Sequence, residues 1–181
     1  MIKKTIGKLP SGERLNRILK SPNYKNGSFQ NIEPTAVKAD DVSYFKMMRD
    51  FRQRPKTVIP AKELPFVKTN LKNLNAAKPT IIWFGHSSYF IKWNGFSILI
   101  DPVFSGNASP VNFFGKSFAG SDHYKADDFP IIDLLVLTHD HYDHLDFKTI
   151  PKIGKEAKKI ITALGVGAHL EYWGIDKNKI I

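Results

Sequence analysis

The apolar positions of this chain change their period near residue 80. Beyond it they fall in short β-rich runs: Ile81, Ile82, Trp83 and Phe84; then Tyr89, Phe90, Ile91 and Trp93; then Phe96, Ile98, Leu99 and Ile100. Branched and aromatic residues in runs of this length suit a pleated, half-buried surface. Asn94-Gly95 joins the second run to the third. A tight two-residue hairpin needs positive φ at both central positions, and this dipeptide tolerates it. The three runs therefore predict an antiparallel meander, ended by Asp101-Pro102. Residues 105–120, rich in Gly, Asn, Ser and Phe, predict a long loop of the kind that often carries function. A buried strand is predicted at 131–137. A helix is predicted next over 147–157, with Ile150 and Ile153 inward and Pro151 in its first turn. Then come a strand at 159–163, a short helix at 168–173 closed by Gly174, and a strand beginning at Ile180-Ile181.

Before residue 80 the pattern is helical and interrupted. Ser11 is placed to cap a helix with Leu15, Ile18 and Leu19 on one face, ended by Ser21-Pro22. A second helix is predicted from Asp40-Asp41, with Phe45, Met48 and Phe51 at near-helical spacing, and Pro55 stops it. Pro55, Pro60 and Pro65 turn the next stretch of chain into an extended connector. The chain thus divides into a basic N-terminal extension, residues 1–78, and a strand-rich domain, residues 79–181. Pieces as short as those of the extension bury little alone and are expected to lie on the domain.

Charge sharpens that division. Residues 1–78 hold 17 of the 27 Lys and Arg but only 6 of the 17 Asp and Glu, so the whole excess behind the net charge of +10 lies there. Such a segment attracts phosphate-bearing partners, a peripheral anionic membrane surface among them, or is simply a solvated basic extension; the second reading is preferred, and no specific nucleic acid is expected. With no cysteine, disulfides and thiolate metal sites are excluded. No apolar run reaches the roughly 18 residues of a membrane-spanning helix, and none succeeds the basic start as a signal peptide requires. The expectation is a soluble, cytoplasmic protein, with a peripheral membrane contact left open.

The candidate chemistry is concentrated in Thr138-His139-Asp140-His141-Tyr142-Asp143-His144, directly after the predicted strand 131–137. Imidazole and carboxylate together suit zinc and similar ions, and a strand end gives such ligands a rigid base. His139 and His141, one residue apart, are able to face one ion if the loop curves; Asp143 and His144 are placed for a second. Two ions about 3.5–4 Å apart activate a water for metal-assisted hydrolysis. Ligation needs neutral imidazole, so affinity should fall as pH drops through the histidine range.

The run Thr138 to Asp146 resembles the H-x-H-x-D-H motif of the metallo-β-lactamase superfamily. Trp83-Phe84-Gly85-His86-Ser87-Ser88, Leu99-Ile100-Asp101-Pro102-Val103-Phe104-Ser105, Ala108-Ser109-Pro110 and the basic extension with Ser11-Gly12-Glu13-Arg14-Leu15 resemble its branch containing N-acylphosphatidylethanolamine-hydrolysing phospholipase D and bacterial relatives. The resemblance implies an α/β (α+β) fold, the αββα sandwich, of which this chain holds the N-terminal half. It also implies two zinc ions, with manganese or iron as alternatives: His139 and His141 on one, Asp143 and His144 on the other, and Asp143 orienting the nucleophile as catalytic residue. Asp140 and Tyr142 occupy variable positions and take no ligand role.

Two further residues are candidates for substrate contact or for support of the ligands. Asp101 either orients a ligating imidazole or merely ends its strand. His86 either faces the site or packs in a turn. Gly85-His86-Ser87-Ser88-Tyr89 lacks the spacing of a serine-nucleophile elbow. Phe104, Phe113, Phe114 and Phe118 in the long loop are expected mostly to pack rather than to bind acyl chains. The superfamily's remaining ligands have no counterpart after the motif; His169 stays unassigned. The reading is a zinc hydrolase of a phosphodiester, phospholipid or other small molecule, with this segment alone inactive. The alternatives are a lactonase acting on a sugar phosphate and a non-catalytic binding module.

Overall fold

The computed structural model describes residues 2–35, 42–75, 77–111 and 115–181. The extension forms α1 (Ile2–Ile6), α2 (Gly12–Leu19), a hairpin of β1 (Tyr24–Lys25) and β2 (Ser28–Phe29), and α3 (Tyr44–Arg52). The hairpin was not expected, although Asn26-Gly27 carries the same turn signal as Asn94-Gly95, with φ of 53° and 82°. Ser11 precedes α2, but its side chain makes no capping bond. Ser43 caps α3 instead, its hydroxyl accepting from the Lys46 N–H at 3.1 Å; the predicted start at Asp40-Asp41 lies outside the described residues. Phe45, Met48 and Phe51 on the apolar face of α3 are exposed, and the Arg54 guanidinium lies over the Phe51 ring at 4.6 Å.

The domain is built on β3 (Thr80–Gly85), β4 (Ser88–Trp93), β5 (Phe96–Ile100), β6 (Leu134–Leu137), α4 (Ile150–Glu156), β7 (Lys159–Thr162) and α5 (Gly167–Tyr172). The strands form one α+β sheet in the order β3-β4-β5-β6-β7, antiparallel through β5 and parallel from β5 to β7. Ile82, Phe90, Leu99, Leu135 and Ile160 are successive partners across it and form a single row on one face. Ile150 and Ile153 of α4 and Leu170 of α5 join Phe90, Leu99, Leu135 and Ile160 in the core. A crossover helix returning a parallel strand must pack on the sheet in this way.

Two boundaries move for a physical reason. The strand predicted at 131–137 begins at Leu134 because Asp133 turns sideways: its carboxylate accepts from the Ser97 N–H and hydroxyl, both at 2.8 Å, and from Lys158 Nζ at 2.6 Å. The helix predicted from 147 begins at Ile150, after a turn held by the buried Asp146; Pro151 sits in its first turn as expected. Ile180 meets Ile160 as a parallel bridge. Among the described residues no helix is long and apolar enough to cross a membrane.

The opposite face of the sheet is also apolar. Ile81, Trp83 and Ile161 there are 66%, 69% and 42% exposed. Contiguous exposed apolar surface binds hydrophobic probes and partners. The double substitution Ile81→Thr, Trp83→Thr is expected to lower the fluorescence of an added naphthalenesulfonate dye and to reduce light scattering at high concentration. Unchanged dye binding would show that this face is not an open surface in solution.

The extension is bonded to the domain at several points. Trp173 Nε1 donates to Lys4 O at 2.8 Å, the Lys8 N–H donates to His169 Nδ1 at 3.1 Å, and Arg14 pairs with Glu171 at 2.8 Å. Ile18 of α2 is 3% exposed, and Leu71 of the connector belongs to the core itself.

Candidate metal centre

The site forms where β5 and β6 end side by side. Asp101 comes directly after β5 with φ of 41°, a left-handed conformation costly for a residue with a Cβ, and is 1% exposed. Its carboxylate accepts from the Thr138 N–H at 2.8 Å and hydroxyl at 2.6 Å, and contacts His144 Nδ1 at 2.8 Å. One buried carboxylate thus joins the end of β5, the start of the histidine loop and the loop's last histidine. An ionised carboxylate only accepts, so the His144 proton sits on Nδ1 and the lone pair on Nε2.

The same logic passes to His139. The Thr138 hydroxyl spends its proton on Asp101, so at its 2.9 Å contact with His139 Nδ1 it accepts. His139 therefore also carries its proton on Nδ1, leaving Nε2 for a ligand. Thr138 stands in the sequence motif without a role of its own; only the three-dimensional contact reveals one.

Three donor atoms converge. His86 Nε2 lies 3.2 Å from His144 Nε2 and 3.1 Å from Asp143 Oδ2, and His144 Nε2 lies 3.9 Å from Asp143 Oδ2. Zinc–ligand bonds of about 2.0–2.1 Å at tetrahedral angles separate neighbouring ligands by about 3.3 Å, so this triangle fits one such ion. His86 occupies the turn between β3 and β4 with φ of 47°, its carbonyl accepting from Trp83 Nε1 at 3.0 Å, while its side chain is 61% exposed. His139 stands beside the group, its ring centroid 3.9 Å from that of His144 and 4.6 Å from that of His141. Among the described residues, His86, Asp143 and His144 form the one group of three or more such residues whose ligand atoms all lie within 4.8 Å of one another. His141 is exposed, and its ring meets that of His139.

Asp146, fully buried, supports the far end of the loop. It accepts from the N–H groups of Phe104 at 3.2 Å, Ser105 at 3.0 Å and Lys148 at 2.9 Å, and from the Thr149 hydroxyl at 2.6 Å. Burial, with the negative charge and hydrogen bond of Asp146, pushes the Tyr142 hydroxyl up to about 12. Phe104 stacks on Phe129 and is buried, as expected, whereas Phe118 is exposed; Phe113 and Phe114 lie outside the described residues.

Burial, helped by the neighbouring His144 and His141, holds the His139 imidazole below its ordinary value against the opposing charges of Asp101 and Asp143. Burial does the same at His169, against Asp140 and a backbone bond to Ile6. A histidine depressed on folding is protonated more readily in the unfolded chain. Stability is therefore fully present above about pH 6.5 and falls as pH drops through that value toward the folded ones. Urea midpoints should decrease from pH 7.5 to pH 5.5, and the double variant His139→Gln, His169→Gln should flatten the profile. An unchanged slope in that variant would assign the dependence elsewhere.

A cavity of about 460 Å³ opens beside the group. His86 and Asp143 line one side, and Trp83, Phe84, Val103 and Phe118 supply much of its apolar wall. Candidate metal ligands at one wall and apolar surface on the others are the ingredients of a small-molecule site.

A family model described as the beta-lactamase superfamily domain matches residues 97–180, a span that begins in β5 and holds Asp101, the whole histidine loop, α4 and α5. That match, with the relatives below, supports a place in the metallo-β-lactamase superfamily. An uncharacterized protein of Mycobacterium tuberculosis is 32% identical over 163 residues, 89% of this chain and 44% of its own length. The N-acyl-phosphatidylethanolamine-hydrolyzing phospholipase D 1 of Caenorhabditis elegans is 35% identical over 71 residues, 39% of this chain and 20% of its own. A metal-dependent hydrolase of Lawsonia intracellularis is 38% identical over 66 residues, 36% of this chain and 24% of its own. The chain thus spans less than half the length of these relatives. His86 falls outside the matched domain span, although the fold delivers it to the same site.

Proposed function

We propose that this chain supplies part of the metal site of a zinc-dependent hydrolase that cleaves a phosphodiester, phospholipase D-like in its substrate. The observation that carries the reading is the meeting of two Nε2 atoms and a carboxylate oxygen, 3.1–3.2 Å apart at the closer edges, at the end of a buried parallel strand. A set of nitrogen and oxygen donors without sulfur suits zinc, and equally manganese or iron. His86, Asp143 and His144 would hold one ion; His139 and His141, beside them, would hold the other. A bound ion would supply Lewis acidity and draw a nucleophile from water at neutral pH. Asp143, at the open rim, would orient that water as well as ligate, while Asp101 and Thr138 keep the His144 and His139 protons on Nδ1. The phosphodiester assignment draws support from the name of the nematode relative and from the apolar cavity beside the ligands. A cytoplasmic setting accords with the cysteine-free composition.

The test is equilibrium dialysis of the purified chain against zinc, manganese and ferrous ion, and then assay on bis(p-nitrophenyl) phosphate. Uptake of at least one ion per chain is expected, with zinc preferred. Absence of any bound metal at pH 7.5 would overturn the reading.

A further inference from the structure

The start of the chain is built against His169, a histidine of α5 that the candidate metal site does not use. The Lys8 N–H donates to His169 Nδ1 at 3.1 Å, and Trp173 Nε1, at the end of α5, donates to Lys4 O at 2.8 Å. Gly7, with φ of 83°, lies so close to the ring that a Cβ there would overlap Nδ1. The two bonds bracket α1 and the turn that follows it. An Nδ1 that accepts must hold a lone pair, so this docking needs the neutral ring with its proton on Nε2.

The docked segment leans on these polar bonds. Ile6 and Leu9 are 61% and 81% exposed, so apolar burial there does little to offset the entropy of ordering the backbone. α2 is anchored differently: Ile18 is 3% exposed, and Arg14 pairs with Glu171 at 2.8 Å. A segment of the first kind opens locally while the rest of the fold stays intact.

We propose that His169 is an acid-operated latch: the neutral ring docks α1 and the turn after it on α5, and the imidazolium releases them while α2 stays in place. A protonated ring has no lone pair, so it keeps at most its bond to the Ile6 backbone and turns an N–H against that of Lys8. Charge acts in the same direction. Residues 1–12 carry Lys3, Lys4 and Lys8 and no Asp or Glu, so the imidazolium faces a segment of its own sign. Asp140 of the histidine loop opposes release by favouring the charged ring; Arg14 and Glu171 satisfy each other nearby, and His139 lines the same cavity as His169. Burial outweighs Asp140 and the Ile6 bond and holds the docked ring below its ordinary value. The docked state therefore binds fewer protons than the released one. Docking is complete above about pH 6.5 and weakens as pH falls through that value toward the docked one, by up to about ten-fold per unit. Leu9 and Pro10, at the end of the segment, share a cavity with His139 and Asp140, so release opens the histidine loop from that side. The latch uses no candidate metal ligand and does not depend on the hydrolase reading.

The test is pulsed dipolar spectroscopy between spin labels on Ile6→Cys and Tyr172→Cys, two exposed positions in a chain with no other cysteine. A narrow distance is expected at pH 7.5. At pH 5.5 the broad, released share should grow at least about three-fold, with circular dichroism unchanged. His169→Gln, which cannot gain the charge, should remove the pH dependence, and Gly7→Val should give the broad distribution at both pH values. His139→Gln should leave the transition in place. A narrow distance that persists at pH 5.5, a transition retained in His169→Gln or abolished by His139→Gln, or loss of circular dichroism at the same pH would overturn the latch. Release only near about pH 4, removed by Glu171→Gln, would overturn it in favour of the Arg14 pair.

Discussion

His144→Ala is expected to lower the zinc affinity of the chain at least 100-fold, measured by competition with a chromophoric chelator. His144 is the donor whose orientation the fold fixes most completely: Asp101 contacts Nδ1 at 2.8 Å, and Nε2 faces both His86 and Asp143. Asp101→Asn should cost about 10–100-fold, the usual effect of removing the partner behind a ligating imidazole. The amide offers one acceptor oxygen where Thr138 and His144 need two. His86→Gln separates ligand from bystander: a ten-fold or greater loss is expected, and an unchanged affinity would remove His86 from the metal. If His144→Ala binds zinc as tightly as the parent chain, the metal lies elsewhere in the molecule.

Asp146→Ala is expected to destabilise the fold by about 3–4 kcal/mol, read as a lowered urea midpoint with unchanged slope. The substitution removes the acceptor of the Ser105 N–H and of the Thr149 hydroxyl and one of the two acceptors of the Phe104 N–H, which also donates to Thr149 Oγ1 at 3.0 Å, in a place that water reaches poorly because Asp146 and Thr149 are buried. Each unsatisfied buried donor costs about 1–3 kcal/mol, and partial rearrangement keeps the sum below the simple total. In a chain of this size the melting temperature should fall by roughly 10 °C. Tyr142→Phe, which removes a single donor, should cost about 1 kcal/mol. A loss below 1 kcal/mol for Asp146→Ala would mean that the loop re-forms its bonds without the carboxylate.

Much of this architecture was legible because local rules and tertiary packing agree. Asn94-Gly95 demanded a hairpin and formed one; the β-branched runs around it became β3, β4 and β5. The strands at Leu134 and Lys159 and the helix containing Pro151 came out within a few residues of their patterns. Where side-chain bonds compete with the backbone ladder, as at Asp133 and Asp146, the pattern placed the start of the element too early. The apolar spacing of α3 correctly marked a helix but said nothing of a partner, and Phe45 remains in solvent.

By itself the sequence determined where the candidate site lies, in the run from His139 to His144, because no other segment concentrates imidazole and carboxylate after an apolar strand. It also determined the sheet's strands, since period and turn residues are properties of neighbours along the chain. Tertiary structure decided the rest. It brought His86 across 58 residues to His144, turned Asp101 from the end of a strand into the group that fixes a histidine's proton, set the Thr138 hydroxyl against Asp101, and docked the N-terminal extension on α5. These are contacts between residues distant in sequence, set by how strands pair and helices pack, and no local pattern of residues encodes them.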